Sequence, residues 1–269
     1  MTIKWASVTC FGIRRILLSN VRLEPVREVW IPMEATPLEV RVWGEYACFT
    51  RPEYKTERVT YPVMTPSAAR GVLEAIFWKP EFAWEIQEIV VLAPIRYFSI
   101  LRNEILGQQS HRGLQQGAGG FFAEERRVQR HTLGLRDVDY MIRASMRLKS
   151  HATADVAKYR DQFRRRIVRG QYFQHPYLGL REFPAHFAAP TGHEQPIPDS
   201  MDLGRVFFDQ AFVPEEAGPI QFRVPGGTGT GWTPGFARAF FFAATLQTGV
   251  LSVPASLYKE LQNATARVG

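Results

Sequence analysis

The chain has 269 residues, enough to bury a real core and short enough for one domain, or one with an appendage. Apolar residues make up 45% and charged residues 22%, a globular profile that excludes disordered, collagenous and coiled-coil chains. The 33 Lys and Arg against 26 Asp and Glu leave a formal charge of +7, which invites an anionic partner. Two cysteines, Cys10 and Cys48, are too few for a disulfide framework or a Cys-rich zinc site. No apolar run reaches the length of a membrane span, and Arg14 and Arg15 interrupt the apolar N-terminal stretch that a signal peptide would need unbroken. The expectation is a soluble, cytoplasmic protein in a reducing compartment.

Residues 1–36 stand apart as an apolar and basic lead broken by Pro25 and Pro32. Met33 then precedes a clear alternation, Leu38, Val40, Val42 against Glu39 and Arg41, which predicts a strand. The lead reads as an extension, native or the product of an upstream start. Thr65-Pro66 opens a helix, Thr as cap and Pro at the first helical position, with Ala69, Val72, Leu73 and Ile76 as its apolar stripe. Phe82 to Leu92 reads as the next strand, ended by Pro94. Five glycines in residues 107–120 predict a loop, and a long alternation returns from Gln129, broken near Arg136-Asp137.

Residues 154–169 predict a second helix stopped by Gly170. Its apolar stripe is Val156, Tyr159, Phe163 and Ile167, and Lys158, Arg165 and Arg169 share another face. Short strands follow in HPYLGLREFPAHF, RVFFDQAFV, ARAFFFAATL and GVLSVP, with a Gly/Thr/Pro insert, PGGTGTGWTPG, among them. The order strand, helix, strand, strand, helix, strand is that of an α+β ferredoxin-like (RRM-like) sandwich, followed by a β-rich tail. The expected division is an extension over 1–36, a ferredoxin-like domain over 37–183 and a β-rich domain over 184–269.

Between Glu124 and Gly170 there are thirteen Arg and Lys against six Asp and Glu, and the rest of the chain is neutral. A surplus confined to one stretch is the footprint of a phosphate-contacting surface; the alternative is a solvated, salt-bridged helix face. Arg164, Arg165, Arg166 and Arg169 have only Asp161 nearby, and arginine suits bidentate phosphate contact, so the nucleic-acid reading is favoured. No GxxxxGK[ST] loop, GxSxG elbow or metal-ligand spacing occurs, and the six histidines are scattered. No metal and no cofactor are expected.

Four segments carry a resemblance: residues 42–80, HTLGLRDVDY (131–140), KYRDQFRRRIVRGQ (158–171) and HPYLGLREFPA (175–185). In order and spacing they resemble the CRISPR-associated crRNA-processing endoribonucleases of type I-C (Dvulg subtype), subtype d of the fifth Cas family in the RAMP superfamily. The resemblance runs from about Leu38 to Pro254. It implies a ferredoxin-like domain with a small C-terminal sheet, and metal-independent cleavage of CRISPR repeat RNA in the precursor. In that chemistry the RNA 2′-OH attacks the adjacent phosphate and leaves a 2′,3′-cyclic phosphate. The resemblance also implies retention of the 5′ handle within the type I-C effector complex, so the implied partners are crRNA and the other subunits of that antiviral complex.

The family's active site combines a Tyr before Trp-Lys-Pro with a Lys-His pair that opens the basic helix. Here the residues are Phe77 before Trp78-Lys79-Pro80, and Lys158-Tyr159. Lys158 is kept; Phe77 lacks the hydroxyl, and Tyr159 offers a phenol in place of an imidazole that titrates near neutrality. Tyr159 is a proton carrier or, from its place on the apolar stripe, a core residue. Further RNA contacts are expected at Tyr46 (base stacking or core), Lys55, Arg58 and Lys79 (phosphate contact or solvated charge), and His131 (RNA contact or packing). Arg164, Arg165, Arg166 and Arg169 of the basic helix are expected to include phosphate contacts, and Arg181 is an ion pair or an RNA contact. The competing functions are a non-catalytic scaffold that holds the crRNA handle and a non-specific duplex-DNA binder.

Overall fold

The computed structural model describes residues 36–54, 56–106, 122–222 and 232–266. Strand β1 (Leu38–Ala47) follows its alternation, with Leu38, Val40 and Val42 buried. The two-residue β2 (Arg58–Val59) leads to α1 (Pro66–Ile76), where the Thr65 hydroxyl accepts the Ala68 N–H at 3.3 Å and Pro66 takes the first turn. Every member of the expected stripe, Ala69, Val72, Leu73 and Ile76, is buried.

Strands β3 (Phe82–Val91) and β4 (Tyr97–Ile105) come next; β4 has no strong alternation and is absent from the sequence expectation. A 3₁₀ turn, Ala123–Arg126, precedes β5 (Arg127–Leu148), 22 residues long. Its first half pairs with β4; its second half pairs with β1 on one side and β3 on the other. The expected break near Arg136-Asp137 is a local irregularity within this one strand: Asp137 takes a positive φ of 54°, its pairing with β1 lapses between Arg136 and Val138, and the register resumes unshifted.

The second helix, α2 (Val156–Val168), is capped by the Asp155 carboxylate on the Ala157 N–H, and Gly170 follows it at φ 62°. After it, β6 (His186–Ala188), β7 (Met201–Pro214), β8 (Ile220–Phe222), β9 (Thr233–Gln247), β10 (Val250–Ser252) and α3 (Ser256–Ala266) complete the order. The sheet runs β6-β1-β5-β3-β10-β9-β7, antiparallel throughout this path, with β2 and β4 also on β5 and β8 on β9.

Two expectations need correction, and one further element lies outside them. HPYLGLREFPAHF is not a strand: only His186–Ala188 is extended into the sheet, and residues 177–184 form a turn around Gly179. The C-terminal strands do not stand off as a separate sheet, because β10 pairs with β3 through Val250–Val90, Leu251–Ile89 and Ser252–Glu88. Helix α3 has no counterpart in the sequence expectation; its Tyr258 hydroxyl accepts the Ile86 N–H at 2.6 Å and donates to the Ile86 carbonyl at 3.1 Å, tying it to β3. The extension up to residue 35, the Gly-rich loop, Lys55, Cys10 and most of the 225–235 insert lie outside the described residues. Among the described residues no helix is long and apolar enough to cross a membrane.

The core lies between the sheet and the paired helices. Trp84 on β3 meets Phe163 of α2 edge to face at 4.7 Å, and Phe82 links Phe77 (5.5 Å) to Tyr159 (5.4 Å). Burying each such aromatic contributes about 1.5–3 kcal/mol, so α2 is held by Tyr159, Phe163 and Ile167 whatever its opposite face does.

Candidate functional site

A helix ends with carbonyls that have no partner in the next turn. In α1 these are taken by three separate parts of the chain. The Ala75 carbonyl accepts the Phe173 and Gln174 N–H groups at 2.8 and 3.1 Å. The Ile76 carbonyl accepts Arg166 Nη1 at 2.6 Å, and the Phe77 carbonyl accepts the Trp84 indole N–H at 3.0 Å. The end of α1 is therefore the joint at which the Trp78-Lys79-Pro80 segment, the basic helix and the segment after it meet.

Of the three catalytic candidates, the fold brings Phe77 and Tyr159 together through Phe82 and leaves Lys158 exposed beside them. Phe77 is wholly buried, with the Arg166 guanidinium 5.1 Å from its ring centre. Tyr159 is buried as well, and desolvation, with the Glu81 carboxylate, holds its phenol above the usual range. A phenol so placed keeps its proton at neutral pH. One carboxylate oxygen of Glu81, Oε2, is buried without a hydrogen-bond partner. Sequence reasoning does not reach this residue; only its place, two residues after Lys79, points to it.

The charge surplus is redistributed in space. Arg130 bonds Glu104 at 3.0 Å, Arg143 bridges Glu39 and Glu88 at 2.8 Å each, and Arg147 holds Glu85 at 2.6 Å. All four acids lie outside the basic stretch. Arg160 is buried, with Nη2 on the Thr36 carbonyl at 2.5 Å, and Arg166 braces α1. The exposed cations that remain on α2 are Lys158, Arg165 and Arg169 on one face, and Arg164 on the other flank, 3.6 Å from Asp161. Lys79 and Trp78 are exposed beyond the end of α1, and Phe173 lies 74% exposed on the adjoining segment.

The remaining candidates lie elsewhere. Tyr46 is 38% exposed, its ring 4.8 Å from Phe98, and hydrogen bonding to the Glu45 carboxylate raises its phenol above the usual range. Arg58 sits in a network with Glu104 (3.9 Å) and Glu182 (3.8 Å), which Arg102 joins at 2.8 Å from Glu182. His131 is exposed on β5 opposite Leu101 of β4. Arg181 is exposed at the tip of the 177–184 turn and forms no ion pair among the described residues. Among those residues, no three His, Cys, Asp or Glu side chains gather as ligands for a metal ion.

Comparison with known proteins places this arrangement. Two solved structures share the fold: one titled "Crystal Structure of CRISPR-associated Protein" (TM-score 0.53, 21% identity, covering 81% of this chain and 92% of that one). The other is SMU1763c from Streptococcus mutans, described as functionally uncharacterized (TM-score 0.54, 18% identity, covering 82% of this chain and 93% of that one). A protein of Thermus thermophilus named CRISPR pre-crRNA endoribonuclease Cas5d is 50% identical over 228 residues, covering 83% of this chain and 94% of its own length. One of Mannheimia succiniciproducens with the same name is 40% identical over 246 residues, covering 85% of this chain and 99% of its own. Residues 37–224 match the Cas5d family, described as CRISPR-associated protein (Cas_Cas5), and the chain belongs to that family.

Proposed function

We propose that this protein is a CRISPR pre-crRNA endoribonuclease, the activity for which its curated relatives are named. The observation that carries this reading is the 50% identity with the Thermus thermophilus protein across 83% of the chain. The proposed reaction is transesterification: the RNA 2′-oxygen bonds to phosphorus, the P–O5′ bond breaks, and the upstream fragment keeps a 2′,3′-cyclic phosphate at its 3′ end. The 2′-OH proton leaves to a base, and O5′ takes one up. The exposed face of Lys158, Arg165 and Arg169 carries the RNA backbone, with Lys79 and Trp78 beside it. Lys158 offsets the charge that develops on the phosphorane.

The strand order β6-β1-β5-β3, with α1 and α2 as the connections, supports a ferredoxin-like unit that begins at residue 37 and runs through β6 (His186–Ala188), just past the expected boundary at residue 183, and that the following β-rich segment extends. The product stays bound as part of a type I-C effector complex. A second reading, a scaffold that holds the RNA without cutting it, is favoured by two observations: Phe77 has no hydroxyl, and the Tyr159 phenol is buried and protonated.

The experiment that separates them is incubation of purified protein with its cognate repeat RNA in EDTA. A 5′ fragment ending in cyclic phosphate is the expected product. Tight binding with intact RNA would establish the scaffold, and equal binding to duplex DNA of any sequence would displace both.

A further inference from the structure

Resting on the endoribonuclease reading, we infer that the cleft lined by Gln174, His175, Pro176, Tyr177, Arg181 and Pro184 is a nucleotide-binding subsite for the repeat RNA, with Arg181 on a phosphate and His175 on a donor group of the adjoining nucleotide. The cleft is about 460 Å³ in volume and open to solvent, the size of a ligand site. It borders the end of α1, because the Gln174 N–H on one wall bonds the Ala75 carbonyl.

Both walls are tied down by backbone hydrogen bonds. The far wall is a turn closed by Leu178 N–H to the Phe183 carbonyl (2.8 Å), Phe183 N–H to the Leu180 carbonyl (3.0 Å) and Ala185 N–H to the Pro176 carbonyl (2.9 Å). Its base is tied to the residue just after β1, where the Cys48 N–H donates to the Leu178 carbonyl at 3.0 Å. Gly179, at φ 85°, passes so near the Cys48 carbonyl that a Cβ would overlap its oxygen. A turn held in this way presents Arg181 at a fixed place, which is what preorganised recognition requires.

The chemistry of the lining selects the ligand. The acid adjacent to Arg181, Glu182, is turned to Arg102 at 2.8 Å and Arg58 at 3.8 Å. Arg181 therefore keeps its fork for an outside anion, and guanidinium matches phosphate in two-point contact. His175 Nδ1 lies 2.9 Å from the Pro176 carbonyl. A carbonyl only accepts, so Nδ1 donates, and in the neutral ring Nε2 is left as an acceptor. That acceptor suits a 2′-hydroxyl or an exocyclic amine. The Gln174 amide and the Tyr177 phenol add donors and a partly exposed ring, and stacking on such rings is how single-stranded RNA is commonly held. Anion, acceptor and ring together fit a nucleotide unit better than an acidic peptide, which would leave Nε2 unmatched.

The test measures affinity for the repeat RNA, made 2′-deoxy at its mapped cleavage position, by anisotropy from 50 to 200 mM salt. Arg181→Ala is expected to weaken binding about tenfold and to flatten the salt slope by about 0.7–0.9, one phosphate's share. His175→Ala is expected to weaken binding several-fold with the slope unchanged, and Arg181→Lys to restore the slope but only part of the affinity. Both side chains are exposed, so thermal midpoints should match wild type. Variants that bind and cut like wild type would overturn the subsite and leave the nuclease standing. A wild-type protein that neither binds nor cuts its repeat would overturn the nuclease reading, and the subsite with it.

Discussion

Arg166 and Phe77 form a single unit: the guanidinium donates to the Ile76 carbonyl at 2.6 Å while lying 5.1 Å from the centre of the Phe77 ring. An arginine so engaged joins two helices and is not free for phosphate. Arg166→Ala leaves a helix-end carbonyl unpaired and uncovers a buried ring, which should cost about 1–3 kcal/mol of stability. Urea unfolding midpoints check this, and an unchanged midpoint would return Arg166 to the RNA-binding face.

Arg165 and Arg169 should behave in the opposite way. Both are exposed on the face that begins with Lys158. The double variant Arg165→Ala with Arg169→Ala should keep the wild-type midpoint and flatten the salt slope of RNA binding by about 1.4–1.8, the share of two phosphates. An unaltered slope would place the RNA on another surface.

These two outcomes also mark where the chain can be read from sequence and where it cannot. The helices are legible because cap and stripe are local signals: Thr65-Pro66 with Ala69, Val72, Leu73 and Ile76, and Tyr159, Phe163 and Ile167 before Gly170. The charge surplus is legible as a number but not as a surface. Arg143 finds Glu39 and Glu88, and Arg147 finds Glu85, only because β5 lies between β1 and β3. The LGLREF stretch alternates like a strand, yet Gly179 at positive φ bends it into a turn. Helix α3 has only Leu257, Tyr258 and Leu261 as its stripe, and Pro254 just before it is the one local signal. Tyr159 resists assignment because its stripe position gives its burial, while its neighbour Glu81 is set by the turn into β3.

Gly179 offers a sharp test of that turn. A methyl group there overlaps the Cys48 carbonyl, in a backbone conformation that disfavours any side chain. Gly179→Ala should destabilise by about 3 kcal/mol or more. Gly71 is the control: it is exposed within α1, and an added methyl group would meet nothing within 4 Å, so Gly71→Ala should stabilise by about 0.5–1 kcal/mol. Equal midpoints for the two variants would refute the constraint at Gly179.

Alkaline pH probes the packing of the sheet. Burial raises the phenols of Tyr140 and Tyr258 above their ordinary range. An unfolded chain releases these protons near pH 10 and the folded one does not. The stabilisation is thus complete below pH 10 and is lost as pH rises from there toward the folded values, at about 1.4 kcal/mol per pH unit for each tyrosine. Midpoints measured at pH 9, 10 and 11 should fall, and fall less steeply in Tyr140→Phe. The same decline in both proteins would show that other groups govern it.

The proposed catalytic positions give the last and most direct test. Of the three proposed catalytic positions, Phe77, Lys158 and Tyr159, Lys158 alone is exposed to solvent, where its charge would be available to a phosphorane. Losing one such electrostatic contact costs about a hundredfold or more in rate. Lys158→Ala should therefore remove most cleavage at saturating RNA, while affinity falls only modestly because Arg165 and Arg169 remain. Tyr159 is held protonated by burial and by Glu81, so Tyr159→Phe should leave the pH–rate profile between pH 6 and 9 in place and stability nearly unchanged. A profile that loses its basic limb in Tyr159→Phe would instead make the phenol a proton carrier. Phe77→Tyr adds a hydroxyl to a ring enclosed by Phe82 and Arg166, so the family's tyrosine should raise the rate only if Arg166 gives way. Paired with Arg166→Ala it should raise the rate further than alone, and equal rates in the two backgrounds would show that the enclosure does not limit the hydroxyl.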